Sequence, residues 1–419
     1  MGGNYKGMLN EYRVLDLTDE KGFMCGKLLG DLGADVIKIE KPGGDPARNI
    51  KPFFHDEPGP EKSLLWLSFN TSKRGITLDI TKSKGQEIFK SLVKTADFIV
   101  ESFPPGYMDS LGLGYSELQK INPSVIMVSI SPFGQTGPYK DFEAPDIVLW
   151  ALGGYLYATG ESDRPPLRIS HPCQSYLHAG ADGAIAAMLA LHQRYLTGKS
   201  QLIDIAIRDS LTATSWAFTS FWDMTQIDRQ RGGQSATTTI KNSICWPCKD
   251  GHVIWMFLSG SLGVMANPHL MSFMESEGKL PAILKNYDWT KFNLLAGGGI
   301  TQEDVDRLRE PIGKFFMEYT KKELFERGMK HLCSIYPLAS TQDIIDSPQL
   351  AARGFWQQIE HPELGATLSY PGAFVTTSES PPSISRKAPL IGEHNNEIYM
   401  EELGFSHKDL DEFKKFVII

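Results

Sequence analysis

Cys245-Trp246-Pro247-Cys248 has the spacing of a redox dithiol. The pair stands just before Lys249-Asp250-Gly251, a turn sequence that leads into a strand. No second Cys/His pair completes a zinc site, so the motif reads as two ordinary thiols beside a turn and no metal is expected. Gly297-Gly298-Gly299 could let backbone approach a phosphate, but no Lys-Ser/Thr follows it, which excludes a P-loop. Trp216, Phe218, Phe221 and Trp222 form an aromatic cluster that would suit an aromatic acid and, more commonly, a core. Gly2 invites N-myristoylation, yet Lys6 stands where that signal needs Ser or Thr.

The chain that must position any such chemistry has 419 residues, more than one core usually serves, so two lobes are expected. Hydrophobic residues make up 41% and charged residues 22%, the balance of a globular protein. A net charge of -8 argues against nucleic acid or an anionic membrane as partner. No apolar run of about 18 residues predicts a transmembrane helix, and the N-terminal residues show no secretory h-region. Five scattered cysteines fit reduced thiols, and the expectation is a cytoplasmic protein.

Strand-like and helix-like segments alternate through the first 200 or so residues, the pattern of a parallel sheet with crossover helices. Arg13–Leu17 reads as a buried strand, Gly22–Leu32 as a helix, and Asp35–Glu40 as a second strand stopped by Lys41-Pro42-Gly43-Gly44-Asp45. Further strands are predicted at Gly75–Ile80, Asp97–Glu101, Val125–Ile130 and Ile203–Ile207, with a strong apolar helix over Asp182–Tyr195. The texture changes near Thr225, where charged and irregular segments begin. The expected division is residues 1–224 as a large α/β lobe, 225–328 as a smaller lobe, and 329–419 as a return to the large one. A proline- and serine-rich passage, Ser378–Ser385, precedes a terminal helix from about Asn395.

Several segments in order resemble the family III CoA-transferases, the formyl-CoA and carnitine CoA-transferase group. They are Val14-Leu15-Asp16-Leu17 with Leu32–Glu40 and the Pro42–Asp45 turn, Asn70–Asp79, and Glu101–Gly106 with Leu111–Tyr115. Ser129–Tyr139, Pro348–Phe355 and Ala388–His394 continue the likeness. The resemblance implies a Rossmann-like large lobe built from N- and C-terminal parts, an inserted small lobe, and two subunits interlocked as a dimer. It also implies a reaction with no bound cofactor, in which CoA moves from a thioester to a carboxylic acid. An aspartate attacks the acyl-CoA carbonyl, forming a mixed anhydride and CoA thiolate, and the thiolate then takes the aspartyl group.

In that family the aspartate opens a helix four residues before a glycine. With Gly180 as anchor its place falls on Tyr176. A phenol of pKa about 10 is a poor acyl acceptor near pH 7. No Asp or Glu lies between Asp163 and Asp182, and Asp182 sits about 240° around a helix from Tyr176. His171, Gln174 and His178 flank Tyr176 and are, with it, the candidate substrate-binding residues. Ser259-Gly260-Ser261-Leu262-Gly263 falls where the family carries a glycine loop over its active site.

The CoA-binding face departs from the family too. Lys41, Pro104 and Ser110 stand where arginines are common, and CoA carries phosphates that arginine forks grip. Lys73, Arg74, Phe103 and Lys140 are the residues left as candidate CoA contacts. The combination points to the non-nucleophilic subunit of a heteromeric CoA-transferase whose aspartate-bearing paralogue supplies the nucleophile and most of the CoA site. Within the family, the heteromeric enzymes of anaerobic aromatic degradation, acting on an aromatic dicarboxylate such as benzylsuccinate, are the nearest kind. Two other readings stay open: an enzyme with a different nucleophile, and an acyl-CoA or acid-binding regulatory protein that kept the fold without the chemistry.

Overall fold

The computed structural model describes residues 7–160, 164–168, 173–226, 231, 240, 242–294 and 299–419, apart from the side chains of residues 216, 217 and 225. The chain divides into two compact units, residues 1–153, 169–215 and 349–419 forming the larger, and residues 154–168 and 216–348 the smaller.

The larger unit is α/β. Six strands, β1 (Arg13–Leu17), β2 (Asp35–Glu40), β3 (Lys73–Thr77), β4 (Phe98–Glu101), β5 (Ile126–Ser131) and β6 (Leu202–Ala206), pair in parallel in the order β3-β2-β1-β4-β5-β6. This is the doubly wound order, whose direction reverses between β1 and β4. Strands β1 to β5 are almost wholly buried, as expected of parallel strands covered on both faces. Helix α1 (Phe23–Asp31) packs on the long helix Gln174–Thr197. A Cβ on Gly180 would lie 2.7 Å from the Met24 Cβ and 3.1 Å from the Cys25 N, so the absence of a side chain is what lets the two helices approach.

Two predicted elements shift. β3 starts at Lys73, not Gly75, because Lys73 and Arg74 are charged strand residues whose side chains are paired and buried. The long helix starts at Gln174, not Asp182. Its first turn is held by a carboxylate from a distant segment, Asp146, whose Oδ1 accepts from Ser175 N at 2.9 Å and from Ser175 Oγ at 2.6 Å.

β3 is an edge strand, and the C-terminal segment covers it. His394 N donates to Gly75 O at 2.9 Å, Gly75 N donates to His394 Nδ1 at 3.0 Å, and Asn395 Oδ1 accepts from Thr77 N at 2.9 Å. A Cβ on Gly75 would meet Pro389 at 2.7 Å. The covering satisfies backbone groups that a bare edge would leave open. Arg48, fully buried, forks onto Glu40 at 2.7 and 2.8 Å and stacks on Trp66, and both Arg48 and Trp66 donate to Pro389 O.

The smaller unit holds β7 (Cys245–Cys248), β8 (Gly251–Ile254) and β9 (Tyr336–Pro337) as an antiparallel sheet beside helices Gly260–Ser276, Gln302–Phe316 and Lys321–Lys330. It runs past residue 328 because β9 pairs with β8. It begins before residue 225 because the helix Trp216–Thr225 belongs to it, with Phe218 edge-on to Tyr155 at 6.0 Å. The chain then returns as the hairpin β10 (Trp356–His361) and β11 (Ala366–Pro371), a π-helical turn Glu397–Glu402 and the helix His407–Lys415.

Beneath β1 to β3 lies a dry charge network. Lys73 Nζ donates to Asp16 Oδ2 at 2.8 Å, Asn70 Oδ1 at 2.9 Å and Phe23 O at 3.1 Å. Lys38 Nζ stands 3.8 Å from Asp16 Oδ1 and donates to Thr18 O. Burial pushes the Asp16 carboxyl up, but Lys73 and Lys38 outweigh it and hold it below the ordinary range. Lys73→Met strands a buried carboxylate and should cost about 3–5 kcal/mol in urea unfolding. Lys140→Met, which breaks only the exposed pair with Asp141, should cost less than about 1 kcal/mol. Equal losses for the two would contradict a structural role for Lys73.

Candidate active site

In a doubly wound sheet, ligands bind outside the carboxyl ends of the strands where the winding reverses. Here that point lies between Leu17 of β1 and Glu101 of β4. A cavity of ≈ 220 Å³ opens there. Leu17, Ile39, Leu78 and Ile80 give it apolar walls, and Phe103 and Tyr107, with ring centroids 4.8 Å apart, form an aromatic side. Its charged groups are Asp19, Glu40, Lys41 and Asp45, three carboxylates against one ammonium.

The cations around this cavity are already committed. Arg48 serves Glu40, Lys21 pairs with Asp19, and Lys38 lies between Asp16 and Asp45. Burial raises the Asp45 carboxyl despite Lys38. Of the cavity's own groups, Lys41 is an exposed cation.

Tyr176 is the third residue of the long helix, one turn before the Gly180 contact with α1, and is buried. Burial, followed by the charge of Glu20, pushes its phenol well above the ordinary tyrosine range, and a hydrogen bond from the Asp146 backbone only partly offsets this. The phenol stays neutral through the physiological range. Glu20, half-buried on the loop after β1, is itself raised, first by burial and then by Asp19. Sequence reasoning missed it because the contact joins distant parts of the chain. A carboxylate directly after a strand that ends at the switch point was the available signal.

The flanking candidates do not converge on Tyr176. Gln174 and His178 are four residues apart on one side of the helix, and Tyr176 lies about 200° from each. His178 packs edge-on to Trp150 at 6.2 Å. His171 lies outside the described residues, as do Gly297 and Gly298. Ser259 precedes the helix Gly260–Ser276 inside the smaller unit, and its Oγ accepts from Leu294 N at 3.0 Å rather than from the helix.

The four candidate CoA contacts are dispersed as well. Phe103 lines the switch-point cavity. Lys73 has all three N–H donors occupied inside the core and shows no exposed surface. Arg74 lies toward the amino end of β3, spread over Asp35, Glu397 and Glu402, at the opposite edge of the sheet from Phe103. Lys140 is partly exposed and paired with Asp141. A cation next to a strand can as well be neutralised by neighbouring strands as offered to a ligand.

Cys245 and Cys248, three residues apart along β7, point to opposite faces, and Cys248 Sγ donates to Asp250 at 3.5 Å. They form no redox pair. Among the described residues no cluster of His, Cys, Asp or Glu could hold a metal ion. Among them, too, no helix is long and apolar enough to cross a membrane.

Comparison with known proteins agrees with this architecture. The chain is 34% identical over 404 residues to the succinyl-CoA:(R)-benzylsuccinate CoA-transferase subunit BbsE of Thauera aromatica, covering 96% of each chain. It is 31% identical over 404 residues to the succinyl-CoA–D-citramalate CoA-transferase of Chloroflexus aurantiacus, again covering 96% of each. A solved CaiB/BaiF family protein from Brucella suis matches with a TM-score of 0.79 at 25% identity, covering 94% of this chain and 99% of that one. Residues 9–395 match the family described as CoA-transferase family III, and the chain belongs to it.

Proposed function

We propose that this chain is the non-nucleophilic subunit of a heteromeric CoA-transferase. Its partner is a paralogue that carries the aspartate and binds most of the CoA thioester, and the acid is an aromatic dicarboxylate such as benzylsuccinate. The observation that carries the reading is Tyr176, a buried phenol kept neutral at the start of the long helix. A neutral phenol offers no anionic oxygen to an acyl-CoA carbonyl at pH 7, so the anhydride step passes to the partner's carboxylate.

Three further features support it. A polyanion such as CoA needs free cations, and the switch-point cavity sets Lys41 against three carboxylates. The relative from Thauera aromatica is named as a subunit. And the long helix carries Ile185, Leu189 and Leu196, spaced four and seven residues apart and 60%, 66% and 70% exposed. Exposed apolar residues along one stripe of a helix suit an interaction face.

The chain purified alone should not move CoA from succinyl-CoA to an acid, whereas co-expression with an aspartate-bearing paralogue should give activity. Turnover by the isolated chain would overturn the assignment. In the active heteromer, Tyr176→Phe should change kcat by no more than about threefold, since no step uses the phenol as nucleophile. Hydroxylamine trapping should mark the partner chain alone, and an acylated residue in this chain would count against the reading. Leu189→Glu should weaken association roughly 30-fold, read by sedimentation, if the exposed stripe is the contact face.

A further inference from the structure

A chain of polar contacts crosses the carboxyl edge of the sheet, and Glu101 is its central link. Ser102 Oγ donates to Asp19 Oδ1 at 2.8 Å and accepts from Asp19 N at 2.9 Å, tying the loop after β1 to the loop after β4. Glu101 Oε2 accepts from Phe103 N at 2.7 Å, and Glu101 Oε1 accepts from Ser129 Oγ on β5. Ser129 Oγ in turn accepts from Gln135 Nε2 at 2.7 Å. Gln135 N donates to Asp204 on β6 at 2.9 and 3.1 Å, so Gln135, in the loop after β5, is held through both its side chain and its backbone.

The two halves of this chain border different cavities. Phe103 forms part of the wall of the switch-point cavity. Glu101, Ser129 and Gln135 line a second cavity of ≈ 220 Å³ on the far side of β4, with Met108, Met127 and Leu202 at its apolar end. Glu101 is 4% exposed; it lines the second cavity and bonds Phe103, which walls the first.

We propose that Glu101 is a positioning residue that fixes the loop carrying Phe103 and the loop carrying Gln135 relative to each other, so that the two cavities change shape together. A carboxylate suits this task because each oxygen takes one loop, and an apolar residue would release both. The link is also sensitive to protons. Burial raises the Glu101 carboxyl to about 7, and the charged groups that act on it, Asp19 on the loop after β1 and Asp109 on the Tyr107–Ser110 turn, are both acidic and raise it further. The hydrogen bonds from Ser129 and Phe103 only partly offset them. The sign follows. A carboxyl raised in the folded state loses stability as pH climbs from its unfolded value towards about 7, because the unfolded chain ionises more easily.

The test is hydrogen exchange with mass spectrometry on the full chain, without turnover, so that its failure leaves the subunit assignment standing. Glu101→Leu should raise exchange about tenfold or more in peptides covering 103–106 and 133–136 together, both loops opening as their shared acceptor is lost. Glu101→Gln should restore both, because its amide oxygen accepts from Phe103 and its NH2 group donates to Ser129. Its melting temperature should gain on wild type between pH 5 and pH 8. If Glu101→Leu does not fold, Ser129→Ala breaks only the far half and should open 133–136 alone. An effect of Glu101→Leu confined to 103–106, a Gln variant as open as the Leu variant, or an unaltered 133–136 loop in Ser129→Ala would overturn the proposal.

Discussion

The arrangement of the large unit hangs on a charge pair with no access to water. Asp16 and Lys73 are fully buried, on β1 and β3, with β2 between them. Such a pair gains little net stability over apolar residues of the same shape, but an unpaired member is costly, so it penalises every register except the one that closes it. Asp16 lies opposite Lys38 across β1 and β2, and Gly26 leaves the space, since a Cβ there would stand 2.2 Å from Asp16 Oδ2. Thr18 completes the site by donating to Asp16 through its N–H at 3.0 Å and its hydroxyl at 2.6 Å. The end of β1 is thereby fixed, and with it the direction of the Asp19–Gly22 loop that leads into α1. The helix bearing Tyr176 then docks on α1 at Gly180. A buried ion pair under the sheet thus bears on where the helix of Tyr176 sits.

The same economy of charge shapes what the carboxyl edge can hold. Lys38, Lys73 and Arg48 are spent inside the protein, each against a carboxylate of the core. The charge that faces the switch-point cavity is chiefly acidic, and what links the loops around it is a run of hydroxyls, amides and carboxylates from Asp19 to Asp204. Such an edge is well organised and poorly suited to gripping phosphates. The fold itself has taken these three cations.

Sequence patterns carry some of this better than others. The strands of the sheet are apolar runs bounded by turn residues, and their order in the chain made the α/β class legible. β3 starts two residues before its apolar run, and Lys73 and Arg74 look like a solvated strand end until their partners on other elements are seen. The long helix was cut short because the side chain that holds its first turn, Asp146, comes from a separate segment. The extent of the smaller unit depended on β9 finding β8, a pairing of only two residues across a long stretch of chain. The environments of Glu20 and Glu101 are hidden in the sequence for the same reason. Each is an ordinary acid in sequence and becomes unusual only through burial and neighbours.

Tyr176 was legible as an oddity by its distance from Gly180, but its surroundings were not. Around it stand Glu20, pushed up by burial, and Asp146, engaged in holding the helix start. A carboxyl group at the same helical position would meet these acids in a buried setting, and both burial and like charge would favour its protonated form. A nucleophile needs the opposite, a carboxylate kept ionised and free to attack. The phenol at position 176 is a side chain that such a place can bury without a charge.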